Sequence, residues 1–136
     1  MTLVDTNILI YSITNIDLDK KEVSANLIQN LIKEKELILS PLILNEFIFV
    51  LHKLKSDNVF IEEWSNYFIN FVKFQIDYNI LKKAINLSKN INNFKNINDA
   101  LHIAFAEEFC RKFITFDRDF YLFNNYTSID IKILKN

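Results

Sequence analysis

Three short apolar runs in this chain each stop on a small polar or acidic residue: Leu3-Val4 before Asp5, Ile38-Leu39 before Ser40, and the run from Phe113 to Phe116 before Asp117. Helix-length segments separate them. Short buried strands alternating with helices restrict a chain to βαβ units, and hence to an α/β fold with a parallel sheet covered on both faces. In such folds ligands sit beyond the carboxyl ends of the strands. Asp5, Ser40 and Asp117 all fall there.

The helical segments follow from periodicity and caps. Residues 6–13 continue the first strand as a short helix, and residues 18–35 carry Val23, Leu27, Ile28, Leu31 and Ile32 at three- and four-residue intervals, an amphipathic pattern. After a strand at 36–39, Ser40 reads as an N-cap and Pro41 as the first residue of a mostly apolar helix reaching Lys55. Asp57 or Asn58 caps a helix over 59–73, a short strand is expected at 72–76, and Asp77 caps a helix over 78–90. The stretch NINNFKNIN reads as a loop, followed by a helix over 98–111, the strand at 113–116, a short helix over 118–123 and a last strand at 129–133. No linker or repeat divides the 136 residues, so residues 1–136 are expected to form one domain.

Half the residues are hydrophobic and no long uncharged apolar run or basic-then-apolar leader is present. Disorder, a membrane span and a secretory signal are therefore not expected, and the chain reads as cytoplasmic. One cysteine, Cys110, and two isolated histidines, His52 and His102, cannot make a zinc set. His102 is read as uninvolved in chemistry and Cys110 as core packing.

Four acids stand in apolar surroundings. Asp5 precedes the run Ile8 to Tyr11. Glu46 shares a ten-residue stretch, Leu42 to Leu51, in which only Asn45 is also polar, so a helix apolar nearly all round would turn Glu46 into the protein or a cleft. Asp99 opens an apolar helix, and Asp117 follows a strand. Each has a plain alternative: a turn or cap group at Asp5, an N-cap at Asp99, turn acids at Asp117 and Asp119, a buried ion pair at Glu46. Four together point further, because clustered carboxylates repel unless a cation holds them. Mg²⁺ and Mn²⁺ favour oxygen ligands and can activate water against a phosphodiester.

VDTNILIY at 4–11, NEF at 45–47, NDALHIAFA at 98–106 and ITFDRDF at 114–120, in this order and spacing, resemble the PIN-domain ribonucleases, in particular the VapC-type toxins of toxin–antitoxin pairs. The resemblance implies a three-layer fold with a short parallel sheet flanked by helices, and a Mg²⁺- or Mn²⁺-dependent endoribonuclease that inhibits translation. By matching position it makes Asp5, Glu46, Asp99 and Asp117 the catalytic, metal-binding acids, with Asp119 the alternative fourth acid. Thr6, Asn7 and Thr115 become groups that orient the carboxylates or water. An RNA substrate, a homodimer and an antitoxin partner that blocks the site are also implied.

The net charge of −1 becomes +3 once those four acids are set aside, which is compatible with RNA. Lys53, Lys55, Lys112 and Arg118 lie near the motifs as phosphate contacts or as solvated surface. Phe60, Trp64, Phe68 and Phe71 recur at helical spacing as core, with any exposed remainder open to a dimer partner or an antitoxin helix. Other readings are weaker. A phosphatase of the haloacid-dehalogenase type requires an acid at position 7, where Asn7 stands, and a response-regulator receiver places its acid past a later strand. A PIN nuclease working outside a toxin pair, or a catalytically silent binding module, uses the same fold.

Overall fold

The computed structural model describes residues 1–135. The elements run β1 Thr2–Val4, α1 Thr6–Ile13, α2 Leu18–Lys33, β2 Leu37–Ile38, α3 Pro41–Lys53, α4 Asn58–Phe68, α5 Tyr78–Asn90, α6 Ile97–Phe109, β3 Lys112–Thr115 and β4 Asp130–Ile133. All four strands are parallel, in the order β2-β1-β3-β4, and helices flank the sheet.

This order decides where a ligand can sit. From β1 the chain steps outward to β2, returns past β1 to β3, and steps outward again to β4. The direction of progression thus reverses between the adjacent strands β1 and β3, a switch point that opens a crevice at their carboxyl ends. Asp5 and Asp117 hang at its two sides, after Val4 and after the β3 exit. The Asp5 N–H donates to the Ile114 carbonyl at 2.9 Å, locking the two exits together.

The core explains the short apolar runs. Leu3, Val4, Ile38, Leu39, Phe113 and Ile114 are buried, and Phe47, Phe105, Phe120 and Phe123 close over them. The caps follow the expected residues: Ser40 Oγ accepts from Ile43 N–H at 3.0 Å, Asp57 from Val59 at 3.2 Å and Asp77 from Ile80 at 3.0 Å.

Some expectations are corrected. The strand at 72–76 reduces to one parallel bridge, Leu39 to Val72, because the chain bends at Phe74, just past the bridge; α4 itself ends earlier than expected, at Phe68, and passes into a 3-10 turn, Ile69–Phe71. The stretch NINNFKNIN is not all loop: it holds a 3-10 turn, Phe94–Asn96, and α6 already starts at Ile97. Asp99 therefore sits in the first turn of α6 and is not its cap. The helix α3 is not buried all round either, since Ile48 and Phe49 are exposed, Phe49 to 59 %. Of the aromatic series over α4 and the 3-10 turn after it, Phe68 is core while Phe60, Trp64 and Phe71 are partly buried against it.

The chain contains no glycine, yet α2, α3 and α5 each exit through a left-handed residue: Lys35 at φ 59°, Lys55 at φ 60° and Asn92 at φ 55°. The bonds Glu36 N–H to Leu31 C=O at 2.8 Å, Ser56 to Leu51 at 3.1 Å and Asn93 to Ser88 at 3.0 Å complete the exits as Schellman motifs. A side chain in that region is strained by about 1–2 kcal/mol, only part of which is offset by the extra freedom of glycine in the unfolded chain. Lys35→Gly or Lys55→Gly should accordingly stabilise the protein by about 0.5–1 kcal/mol in a thermal or urea melt.

Candidate functional site

Asp5 is set by β1 and α1 together. It caps α1, with Oδ1 accepting from Thr6 N–H at 2.7 Å, while Oδ2 accepts the Thr115 hydroxyl at 2.7 Å and lies 3.4 Å from Asn7 Nδ2. The carboxylate that caps α1 thus also lines the cleft. Thr115 Oγ1 in turn accepts from Asp117 N–H at 2.9 Å and from Asn7 Nδ2 at 3.3 Å, and Asn7 Oδ1 accepts from Phe116 N–H at 3.4 Å. Thr115 and Asn7 tie the β1 exit to the β3 exit. Thr6 points elsewhere, its hydroxyl donating to the Ile43 carbonyl of α3 at 3.4 Å.

Glu46 comes from α3, Asp99 and His102 from α6, and Asp117 caps the 3-10 turn Arg118–Phe123 that follows β3. With Asp5, Thr6 and Asn7 they line one cleft of about 390 Å³, whose other wall is apolar: Ile10, Tyr11 and Ile16 on one side, Val50 and Leu54 on the other. Asp119 is exposed within that 3-10 turn, where its N–H donates to Asp117 Oδ1 at 2.9 Å.

The electrostatics follow from this crowding. Burial pushes the Asp5 carboxyl above its ordinary value against the opposing pull of His102 and the bonds from Thr115 and Thr6. Burial also raises Asp99, to about 6, with Asp5, Asp117 and Glu46 adding to the rise and His102 opposing it. Charged His102 is disfavoured by burial, but Glu46, Asp5 and Asp99 outweigh that and raise its pKa. The cleft holds more negative charge than the fold alone stabilises.

His102 is the residue that the sequence reading set aside and the structure returns to the cleft. It is 2 % exposed, and its Nε2 lies 2.7 Å from Oε1 of Glu46. Lys20 is a second addition: its ammonium stands 4.7 Å over the Tyr11 ring and 5.1 Å over that of Phe116, bringing a positive charge to the aromatic rim. Lys112 lies at the amino end of β3, away from the cleft, and faces Asp130 at 3.7 Å. Cys110 is a free, half-buried thiol raised to about 11 by burial.

Among the described residues no three His, Cys, Asp or Glu side chains stand close enough together to hold an ion as placed. In kind, however, the donors suit one: four carboxylates on one cleft offer the hard oxygen ligands that a divalent cation of the Mg²⁺ class takes.

A second concavity of about 430 Å³ lies between α1, α2 and α4. It is lined by Ile13, Ile28, Ile32, Trp64 and Phe68 among others and carries none of the four acids. No helix among the described residues is long and apolar enough to cross a membrane.

A parallel sheet whose switch-point crevice is lined by carboxylates from four separate elements defines a three-layer α/β protein with an acidic cleft. The sequence narrows that class. Residues 2–125 match the PIN domain family, and the chain belongs to it. No curated protein matches it. Among solved structures, the chain resembles VapBC2 from Rickettsia felis bound to a DNA fragment from its promoter, with a TM-score of 0.71, 16% identity and 98% of both chains covered. It also resembles VapBC-5 from Mycobacterium tuberculosis, of the VapBC family of toxin–antitoxin systems, with a TM-score of 0.61, 18% identity and 98% of both chains covered.

Proposed function

We propose that this protein is a Mg²⁺- or Mn²⁺-dependent endoribonuclease and the toxin of a VapBC-type pair, with Asp5, Glu46, Asp99 and Asp117 as its metal-binding acids. The observation that carries the reading is the convergence of these four carboxylates, from four elements, on one open cleft. Membership of the PIN family and the likeness in fold to two VapBC proteins support it.

A bound divalent ion would supply Lewis acidity to the phosphodiester and a hydroxide near neutral pH. The chain's own residues do the rest. Thr115 and Thr6 N–H fix both oxygens of Asp5, so that this carboxylate does not have to reorganise. Asn7 holds the β1 and β3 exits in register. Asp117 rather than Asp119 serves as the fourth acid, because it shares the cleft with the other three. Lys20 offers a phosphate contact at the rim, and the wall of Ile10, Tyr11 and Val50 gives apolar surface to an unpaired base.

The groove between α2 and α4 suits the apolar face of an antitoxin helix, and the likeness in fold to VapBC-5, a member of a family of toxin–antitoxin systems, supports that reading. The homodimer is retained as part of the same proposal.

Cleavage of a structured RNA followed on a gel with Mg²⁺ or Mn²⁺, then with excess EDTA, tests the activity. Cutting should appear with either ion and vanish with the chelator. Full activity in EDTA would overturn the metal nuclease.

A further inference from the structure

Glu46 has the longest and most flexible side chain of the four acids. A free glutamate side chain carries up to about 2 kcal/mol of rotamer entropy, which any ligand must remove, and unlike Asp5 it caps no helix. Its one close polar neighbour is His102, which binds its Oε1 at 2.7 Å. That oxygen is buried, while Glu46 as a whole is 32 % exposed. The contact therefore takes one oxygen out of play and leaves Oε2 as the one available to the cleft.

The His102 ring is itself closely packed. Its ring stacks on Phe113 of β3 at 6.1 Å and 21°, and packs on Phe120 of the following turn at 6.4 Å. Both phenylalanines are fully buried. Nδ1 is buried without a partner, so the contact with Glu46 is the polar purpose this imidazole serves. A carboxylate oxygen at 2.7 Å requires the proton on Nε2, since a bare lone pair there would repel it. The N–H is not aimed squarely at the oxygen, which makes this a close charged contact more than a straight hydrogen bond.

From this geometry we propose that His102 is the positioning residue of the cleft. Gripped between Phe113 and Phe120, it carries the rigidity of the sheet to Glu46 across the gap between α6 and α3, and fixes which carboxylate oxygen meets the metal ion. The proposal rests on the reading of the cleft as a metal site.

The test is calorimetric titration of the metal-free protein with Mn²⁺, comparing wild type, His102→Gln and His102→Asn, each also in a Glu46→Ala background. A glutamine amide nitrogen reaches the place of Nε2, whereas that of asparagine falls short, and the two variants bury similar polar groups. Loss of a group that orients a ligand typically weakens metal binding by about 10–100-fold. His102→Asn should therefore bind Mn²⁺ about 10–100-fold more weakly, His102→Gln should recover most of that loss, and with Glu46→Ala the two should bind alike. A merely structural histidine would give Gln and Asn the same loss, and the same loss without Glu46. Either result, or His102→Asn binding within about twofold of wild type, overturns the proposal. Failure of the metal-site reading is told apart because wild type would then bind no Mn²⁺, or bind it no better than Asp5→Asn, and the proposal would fall with it.

Discussion

Asp5→Asn should lower RNA cleavage by on the order of 10³-fold or more, since loss of a metal-held carboxylate removes several kcal/mol of transition-state stabilisation. The fold should survive. One amide oxygen still accepts from Thr6 N–H, and the buried site no longer has to hold a charge whose burial already raises its pKa. The other position changes sign: an NH₂ group now faces Thr115 Oγ1 and Asn7 Nδ2, where a carboxylate oxygen accepted from both. Single-turnover cleavage beside a thermal melt separates the two effects. Cleavage within about tenfold of wild type would remove Asp5 from the chemistry.

Asp99→Asn is expected to abolish cleavage and at the same time stabilise the metal-free protein at pH 7. In the fold, burial and the neighbouring acids raise Asp99 from 3.8 to about 6. The folded state therefore binds this proton more tightly than the unfolded chain does. Its contribution is fully present below pH 4 and is lost as the pH rises toward 6. The amide of the variant never ionises, so the two proteins should melt alike near pH 4 and diverge above it. A shift of this size in a fully buried group would correspond to about 3 kcal/mol, but solvent reaches Asp99, and about 1 kcal/mol is the fair expectation, or roughly 3–6 °C in Tm. His102 acts in a separate window. Its raised pKa supplies stability that is complete below 6.5 and fades at higher pH. Added Mn²⁺ should reverse the order, stabilising wild type and leaving the variant unmoved. Equal melting of the two metal-free proteins at pH 7 would show that the acids do not strain the cleft.

These expectations mark how much of the protein could be read from its residues. The strands before Asp5, Ser40 and Asp117, the caps at Ser40, Asp57 and Asp77, and the parallel sheet were legible because each depends on a few neighbouring positions. The bridge at Val72 was not, since a run of apolar residues does not reveal where the chain will bend, here at Phe74. Glu46 stood out as a carboxylate in an apolar helix, yet its contact with His102 depends on how α3 and α6 cross, fifty-six positions apart along the sequence. Lys20 carries no signal of its own in the sequence, and only the fold brings the rings of Tyr11 and Phe116 beneath it. What stayed hidden is what long-range packing decides.

The three helix exits at Lys35, Lys55 and Asn92 have a practical bearing on all of this. None of them lines the acidic cleft, and each holds a conformation for which glycine is better suited. A glycine-free chain has thus left reserves of stability outside the lining of its cleft, at Lys35 and Asn92 above all, since Lys55 directly follows the wall residue Leu54. Glycines introduced there offer a sturdier background in which damaging changes such as His102→Asn or Glu46→Ala can be examined in a protein that still folds.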